Sequence, residues 1–253
     1  MISIQTKLIL ACRLGNVEVF ERLMTRLEPN QVYKGLKEQL FFLASKAGST
    51  SMLQVLLNQK DIDLQFRDIH GDTPFFTACW FGYTDIVKEM LKFKEVPINI
   101  GNNEGLTPLM VACSRGNYDV VKLLLDEDDI KINLEDETGA TALWYACQNE
   151  QLDIVQLMLE QEGLDVNSPD EFGWSPLMCA VDNGYFEIVQ CYLISKHDVN
   201  LNLKNSSNLN VFDIAHKSPE RHLINELLEP FKKNSELAKI DLRKRLGFFG
   251  LIF

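Results

Sequence analysis

The chain has 253 residues, 46% of them hydrophobic and 24% charged, which is ample material for a folded core. Its formal charge of −11 and pI near 4.9 weigh against a nucleic-acid backbone as partner and favour basic or apolar protein surfaces. No apolar run approaches the ~18 to 20 residues of a membrane helix.

In chain order, Leu8-Ile-Leu-Ala11-Cys12 through Gly15, Val17 and Phe20 has the apolar spacing of a helical hairpin with a small-residue corner. Ile9-Leu10-Ala11-Cys12 also has the letters of a lipoprotein cleavage box. The apolar stretch before it is about four residues, against the ~7 to 15 that a signal peptide needs, so the helix reading stands. A linker from Glu28 to Gly35 with Pro29 and Asn30 follows, and then Leu40-Phe-Phe-Leu-Ala44 and Gly48 resume the pattern.

From there one phrase recurs. It reads Asp68-Ile-His-Gly71-Asp-Thr73-Pro74, Asn102-Asn-Glu-Gly105-Leu-Thr107-Pro108, Asp136-Glu-Thr-Gly139-Ala-Thr141-Ala142 and Asp170-Glu-Phe-Gly173-Trp-Ser175-Pro176. The glycines at 71, 105, 139 and 173 step by 34, and Asn205-Ser-Ser-Asn208-Leu-Asn210-Val211 is a weaker copy. Asp or Asn binds its own downstream backbone, Gly takes a positive φ, and Thr-Pro is a cap followed by a first helical residue. Each phrase is therefore a turn feeding a helix. Behind it come a constant Ala, a small-residue corner, and Ile/Val-Val with an apolar pair at helical spacing, as in Val120-Val121…Leu124-Leu125. A fixed period of this length is the mark of a stacked repeat array. Ala11, Ala44, Ala78, Ala112, Ala146, Ala180 and Ala215 anchor seven units, with degenerate ends suited to capping.

These residues resemble the ankyrin-repeat pattern, Asp-x-x-Gly-x-Thr-Pro-Leu-His-x-Ala-Ala-x-x-Gly followed by Val-x-x-Leu-Leu. Where that family has His, this chain has Phe76, Met110, Trp144 and Met178, then Asp213, so apolar stacking is expected to replace a His-centred network. The resemblance implies an all-α solenoid of about seven helix-turn-helix units with β-hairpin-like turns, spanning 1–229. A C-terminal helix and apolar tail then span 230–253. It also implies a non-enzymatic scaffold or adaptor that holds a protein partner on the concave face formed by turn tips and first helices. In the family the Asn between repeats is sometimes an asparagine-hydroxylase substrate. Asn167 resembles such a site best, although a side chain satisfying local backbone accounts for it as well.

The variable positions on that face are the candidate partner-binding residues. They are His70, Asp72, Trp80 and Phe81 in one unit, and Glu104, Leu106, Ser114 and Arg115 in the next. Then come Glu137, Thr138, Gln148 and Asn149, followed by Glu171, Phe172, Trp174, Asp182 and Asn183. Trp80, Phe81, Leu106, Phe172 and Trp174 stand out, because the repeat itself does not require large apolar groups there.

Cys12, Cys79, Cys113 and Cys147 each follow the repeat Ala, so they fill one small slot of the core rung after rung instead of converging on a metal. Unpaired thiols in that number point to a reducing compartment, cytoplasmic or nuclear. The acidic run Asp126-Glu127-Asp128-Asp129 has no central Gly for calcium and reads as a solvated loop. His70, His197, His216 and His222 have no nucleophile arranged around them, and no phosphate loop, metal triad or cofactor motif is present. No enzyme activity is expected.

At the C-terminal end, Pro230 is expected to stop the last repeat helix, which begins at Pro219. Ser235 should then cap a new one bearing Leu237, Ile240, Leu242 and Leu246 with Lys239, Arg243, Lys244 and Arg245. From Glu229 onward six Lys/Arg oppose three Asp/Glu, net +3, which leaves −14 for the rest, and the chain ends in an uncharged run from Gly247 to Phe253. This end reads as a cap on the last repeat or a second partner contact. Leu237-Ala-Lys-Ile-Asp-Leu242-Arg243-Lys-Arg-Leu246-Gly247 also resembles part of the suppressor-of-cytokine-signalling box, with Ala238 in place of that family's Cys. That resemblance implies a ubiquitin-ligase substrate receptor. A third reading makes the array the regulatory module of a larger enzyme or channel.

Overall fold

The Ser/Thr that closes the phrase, followed by Pro in three of the four full copies, becomes a helix start at each of them. In the computed structural model, which describes residues 3–26, 35–58, 62–217 and 221–247, the hydroxyls of Thr73, Thr107, Thr141 and Ser175 act as N-caps. They accept the N–H of Phe76, Met110, Trp144 and Met178 at 3.1, 3.3, 3.2 and 3.3 Å. All four capping residues are buried, so each replaces water for one orphan N–H of a first turn. Pro29, Asn30, Asp61, Pro219 and the tail at 248–253 lie outside the described residues.

Fifteen helices are present among the described residues, and the chain divides into two compact units. Met1–Lys131 contains four helix pairs: α1 (Ile4–Arg13) with α2 (Val17–Met24), α3 (Leu36–Lys46) with α4 (Thr50–Leu57), α5 (Pro74–Phe81) with α6 (Thr84–Leu91), and α7 (Pro108–Arg115) with α8 (Tyr118–Leu125). The first, or inner, helices pack side by side in the order α1, α3, α5, α7, and the second, or outer, helices in the order α2, α4, α6, α8. Ile132–Phe253 contains α9 (Ala142–Gln148) with α10 (Leu152–Leu159), α11 (Pro176–Asn183) with α12 (Phe186–Ile194), α13 (Val211–His216) with α14 (His222–Lys233), and then α15 (Ser235–Arg245). Its inner helices run α9, α11, α13 and its outer ones α10, α12, α14. The seven units expected from the alanines are these seven pairs. Those alanines are buried at each inner helix, where a larger side chain would overpack neighbouring helices at about 1–3 kcal/mol.

Between pairs the chain projects a finger. Asp68 Oδ1 accepts the N–H groups of His70 and Asp72, and Asn102, Asp136, Asp170 and Asn205 repeat this on residues two and four ahead. The first and fifth finger residues also pair through main chain, as in Asp68 N to Asp72 O at 3.0 Å, which gives the β-hairpin-like turn. Gly71 has φ +78°, and a Cβ there would lie 2.7 Å from the backbone N of Asn103 in the next finger. Glycine is thus required both for turn geometry and for close approach. Asn208, at φ +61°, fills the same place in the weak copy. The neighbouring Asn205 carries a buried Nδ2 with no partner, whereas Asn102 gives the equivalent hydrogen to Asp72 of the preceding finger at 3.0 Å.

The C-terminal region departs from expectation. Helix α14 does not stop at Pro230 but runs through it to Lys233. Pro230 and Glu226, whose carbonyl loses its N–H partner, are both exposed, and buried Leu228 and Phe231 hold the helix on either side. Asn234, not Ser235, caps α15, accepting Leu237 N–H at 3.0 Å, while Ser235 donates to the Phe231 carbonyl. The buried face of α15 is Ala238 and Leu242, and Leu237, Ile240 and Leu246 turn outward. Charge adds to this apolar face in docking α15. Arg243 donates to the carbonyls of Ile194 and Ser195 at 2.7–2.9 Å, answering C-terminal carbonyls of α12, and Lys239 donates to that of His197 in the loop beyond at 3.1 Å.

Two substitutions test these assignments in denaturant melts. Arg243→Ala should lower stability by ~1–3 kcal/mol and speed amide exchange first along α15. Glu150 holds φ +57° where the corresponding position after α5, α7 and α11 is glycine, so Glu150→Gly should raise stability by about 1 kcal/mol.

Candidate functional site

In Met1–Lys131 the inner helices end on side chains that packing leaves over. At the end of α5, Trp80 is half-buried, its ring 6.3 Å from that of Phe76, and the Arg115 guanidinium sits 4.1 Å above its centroid. Phe81 beside it is 45% exposed and stacks on Tyr83 with centroids 5.6 Å apart. The carbonyls of Cys79 and Trp80 are closed off by the Asn117 amide of the next pair at 2.8 and 3.1 Å, which fixes the end of α5. Ser114 is half-buried on α7.

The same register, counted from Ala11 and Ala44 in place of Ala78, gives Arg13-Leu14 at the end of α1 and Lys46-Ala47 at the end of α3. All four are exposed, Leu14 by 71%, and Arg13, Lys46 and Arg115 form no ion pair among the described residues. These positions escaped the reading from the finger phrase because the first two units lack it. They also reverse the charge anticipated for this face. The acidic net charge of the chain is not the charge of the strip formed by Arg13, Lys46, Trp80, Phe81 and Arg115.

On the fingers of this unit His70 and Glu104 are exposed tips. Asp72 accepts Asn102 Nδ2, and burial raises its carboxyl pKa against the lowering effect of that bond. Leu106 is half-buried at the finger base. Ile69, not singled out from sequence, is 87% exposed and edges an open hollow of about 400 Å³ that Phe42, Leu43 and Phe66 also line.

In Ile132–Phe253 the corresponding surface is polar. Glu137, Thr138, Gln148, Asn149, Glu171 and Asn183 are exposed, while Trp174 and Asp182 are half-buried. Several are tied into the fold: Thr138 Oγ1 donates to Asp136 at 2.7 Å, Asn183 Nδ2 to the Cys179 carbonyl at 2.9 Å, and Asp182 pairs with Arg221 at 3.0 Å. Phe172, 56% exposed at its finger tip, is the large apolar group left outward. Of the positions where the family has His, Phe76, Met110 and Met178 are buried as expected. Trp144, however, keeps a polar tie, giving its indole N–H to the Trp174 carbonyl of the next finger at 3.1 Å.

Asn167 has a structural task. Its Nδ2 donates to the Asp198 carbonyl and its Oδ1 accepts Asn200 N–H, both at 2.8 Å, just as Asn133 holds Gly163 and Asp165 and Asn99 holds Asp129 and Lys131. Cys12, Cys79, Cys113, Cys147 and Cys179 are buried and Cys191 is half-buried, none in a disulfide. Among the described residues no group of three or more His, Cys, Asp or Glu is placed to hold a metal ion. No helix of the described residues is long and apolar enough to cross a membrane.

Comparison with known proteins agrees with this architecture. The family model described as ankyrin repeats (3 copies) matches residues 8–100, 40–136, 92–170 and 128–205. No curated protein matches the chain by sequence. Among many solved chains with a similar fold is the ankyrin repeat domain of Bcl-3, described as a unique member of the IkappaB protein family. It is 27% identical, with a TM-score of 0.70, over 87% of this chain and 97% of that one.

The thiols offer a direct test of the packing. Burial pushes Cys12 and Cys147 from an ordinary 9.0 up to about 12, and Cys79 and Cys179 move the same way. A proton held more tightly in the folded state contributes stability that is full below the unfolded thiol pKa and is lost as pH rises through the folded one. Chemical-denaturation midpoints should therefore fall between pH 9 and 12. Ellman's reagent should titrate Cys191 in the native protein and the buried thiols only after unfolding.

Proposed function

Because the chain belongs to the ankyrin-repeat family, we propose that it acts without chemistry of its own, as a scaffold or adaptor that holds a protein partner on its inner helices and fingers. The observation that carries this is the aromatic pair at the end of α5. Trp80 and Phe81 remain accessible at positions that neighbouring units fill with Lys46-Ala47 and Ser114-Arg115, so the fold does not demand them. Rigid aromatics in a fixed setting are the groups that dominate interface energy, and the Asn117 clamp with the Arg115 stack holds this pair in place before any partner arrives. The fold shared with a domain of the IkappaB protein family supports an interaction role in the same way. The remaining candidates, His70, Asp72, Glu104, Leu106 and Ser114 in this unit, form the rim of that contact. Glu137, Thr138, Gln148, Asn149, Glu171, Phe172, Trp174, Asp182 and Asn183 supply a separate contact in the other unit. Buried thiols outside any disulfide support a reducing compartment, cytoplasmic or nuclear, as the place of action.

Affinity capture from cells followed by mass spectrometry tests this. Trp80→Ala with Phe81→Ala should remove the proteins captured by the wild-type chain while helical content and cooperative melting stay near wild type. Phe172→Ala, made separately, reports on the other unit. Retained capture by the double variant would sink the assignment, and loss of folding would return the two aromatics to a structural role.

A further inference from the structure

The charges of the inner helices in Met1–Lys131 are one-sided. These helices carry Lys7, Arg13, Lys37, Lys46 and Arg115 against a single carboxylate, Glu38. Glu38 is buried and its Oε2 accepts the Gly35 N–H at 2.7 Å, so it does not answer the cations at the other end of the layer. Three of the four inner helices end on an exposed Arg or Lys, at Arg13, Lys46 and Arg115, and α5 ends on Trp80-Phe81. The fingers' acids stand apart. Asp68 accepts the N–H groups of its own turn, Asp72 accepts Asn102, and Glu104 is at a tip. All of them precede the N-terminal ends of the inner helices, and a helix of eight residues is ~12 Å long. Exposed carboxylates in the first turns of the outer helices, Glu18, Asp85 and Asp119, border the inner-helix ends, and those ends themselves form a basic, apolar-studded strip on a chain of net charge −11.

We infer that this strip takes an acidic polypeptide segment with interleaved aromatic or large aliphatic residues. The inference deepens the protein-interaction reading and rests on it. Adjacent helices lie ~8–10 Å apart, so the strip from α1 to α7 is roughly 24–30 Å long, the reach of ~7–9 extended residues. Carboxylates of such a segment meet Arg13, Lys46 and Arg115. The last is already oriented by the indole beneath it, which leaves its N–H edge free for a bidentate pair. Apolar side chains of the segment seat on Phe81, on the accessible part of Trp80 and on Leu14. A nucleic-acid strand fits less well. Three cations at helix spacing neutralise few phosphates, and the charge of the chain repels a polyanion.

A random peptide library displayed on phage, panned against the full chain and against Arg13→Glu/Lys46→Glu/Arg115→Glu, decides the matter. The wild-type chain should enrich peptides of net negative charge containing Phe, Trp, Tyr or Leu. A synthetic copy of the most enriched one should bind at least about tenfold more weakly to the variant, and more weakly as NaCl rises from about 0.05 to about 0.5 M. Arg13→Gln/Lys46→Gln/Arg115→Gln, which removes charge without reversing it next to helix C-termini, should also weaken binding with its circular dichroism unchanged. Enriched peptides that are basic or uncharged, or that bind both variants as well as the wild type, overturn the acidic-segment inference and leave the interaction reading standing. Tighter binding of an oligothymidine of about 15 nucleotides overturns it in favour of nucleic acid. If the wild-type chain enriches no peptide at all, both readings fall.

Discussion

The fingers of the structure depend on one oxygen each, in five of the seven repeats. A side-chain Oδ1 of Asp68, Asn102, Asp136, Asp170 or Asn205 accepts two N–H groups of its own turn and thereby turns a flexible loop into a finger of fixed shape. Once the finger is fixed, its main chain reaches the next one. Asn103 N–H donates to the His70 carbonyl at 3.0 Å, Glu171 to Thr138 at 2.7 Å and Ser206 to Phe172 at 2.8 Å. A hydroxyl cap a few residues on, at Thr73, Thr107, Thr141 and Ser175, then starts the inner helix at a fixed distance along the chain from the finger. Buried backbone groups must be paired, and in each of these five fingers one side chain decides how they are.

Stability and recognition are consequently divided among different atoms. Ties between neighbouring repeats use carbonyls and N–H groups, or amide side chains that bind them, as Asn99, Asn133 and Asn167 do. In Met1–Lys131 the ends of successive inner helices carry Arg13, Lys46, Trp80-Phe81 and Arg115, cationic in some repeats and aromatic in another, on the same stack. Arg115 over Trp80 is the exception that joins the two roles, because it links adjacent units while shaping the surface they present. Helix α15 uses the same chemistry: Arg243 answers the carbonyls that end α12 and Lys239 one in the loop that follows, so two of its basic residues serve the fold.

What the sequence made legible was local. A carboxylate reaching two and four residues ahead and a hydroxyl reaching three ahead leave a signature within one phrase, and the finger, the caps, the seven pairs and the buried thiol rungs could all be read from it. Contacts across the chain left no such mark. Asn117 closes off carbonyls 37 and 38 residues earlier, and Arg243 grips Ile194 across 49. Pro230 looked like a stop because its own chemistry ends helices. Only the exposure of Pro230 and Glu226, with Leu228 and Phe231 buried beside them, shows why this helix continues. Arg13 and Lys46 were missed for a related reason. They belong to units without the finger phrase, and their kinship with Trp80 appears only when register is counted from the buried alanines.

The amide clamps between repeats have a consequence for how such a chain changes over time. Asn133 holds groups 30 and 32 residues ahead and Asn167 holds groups 31 and 33 ahead, and in each case what is held is main chain, which every residue supplies. The address is relative, a distance along the chain and not an identity. A block of one period copied or lost by unequal recombination brings a new stretch of main chain to the same offset, and the clamp closes on it as before. Length therefore changes in whole periods, while the lettering of the inner strip changes one codon at a time, and neither kind of change must wait for the other.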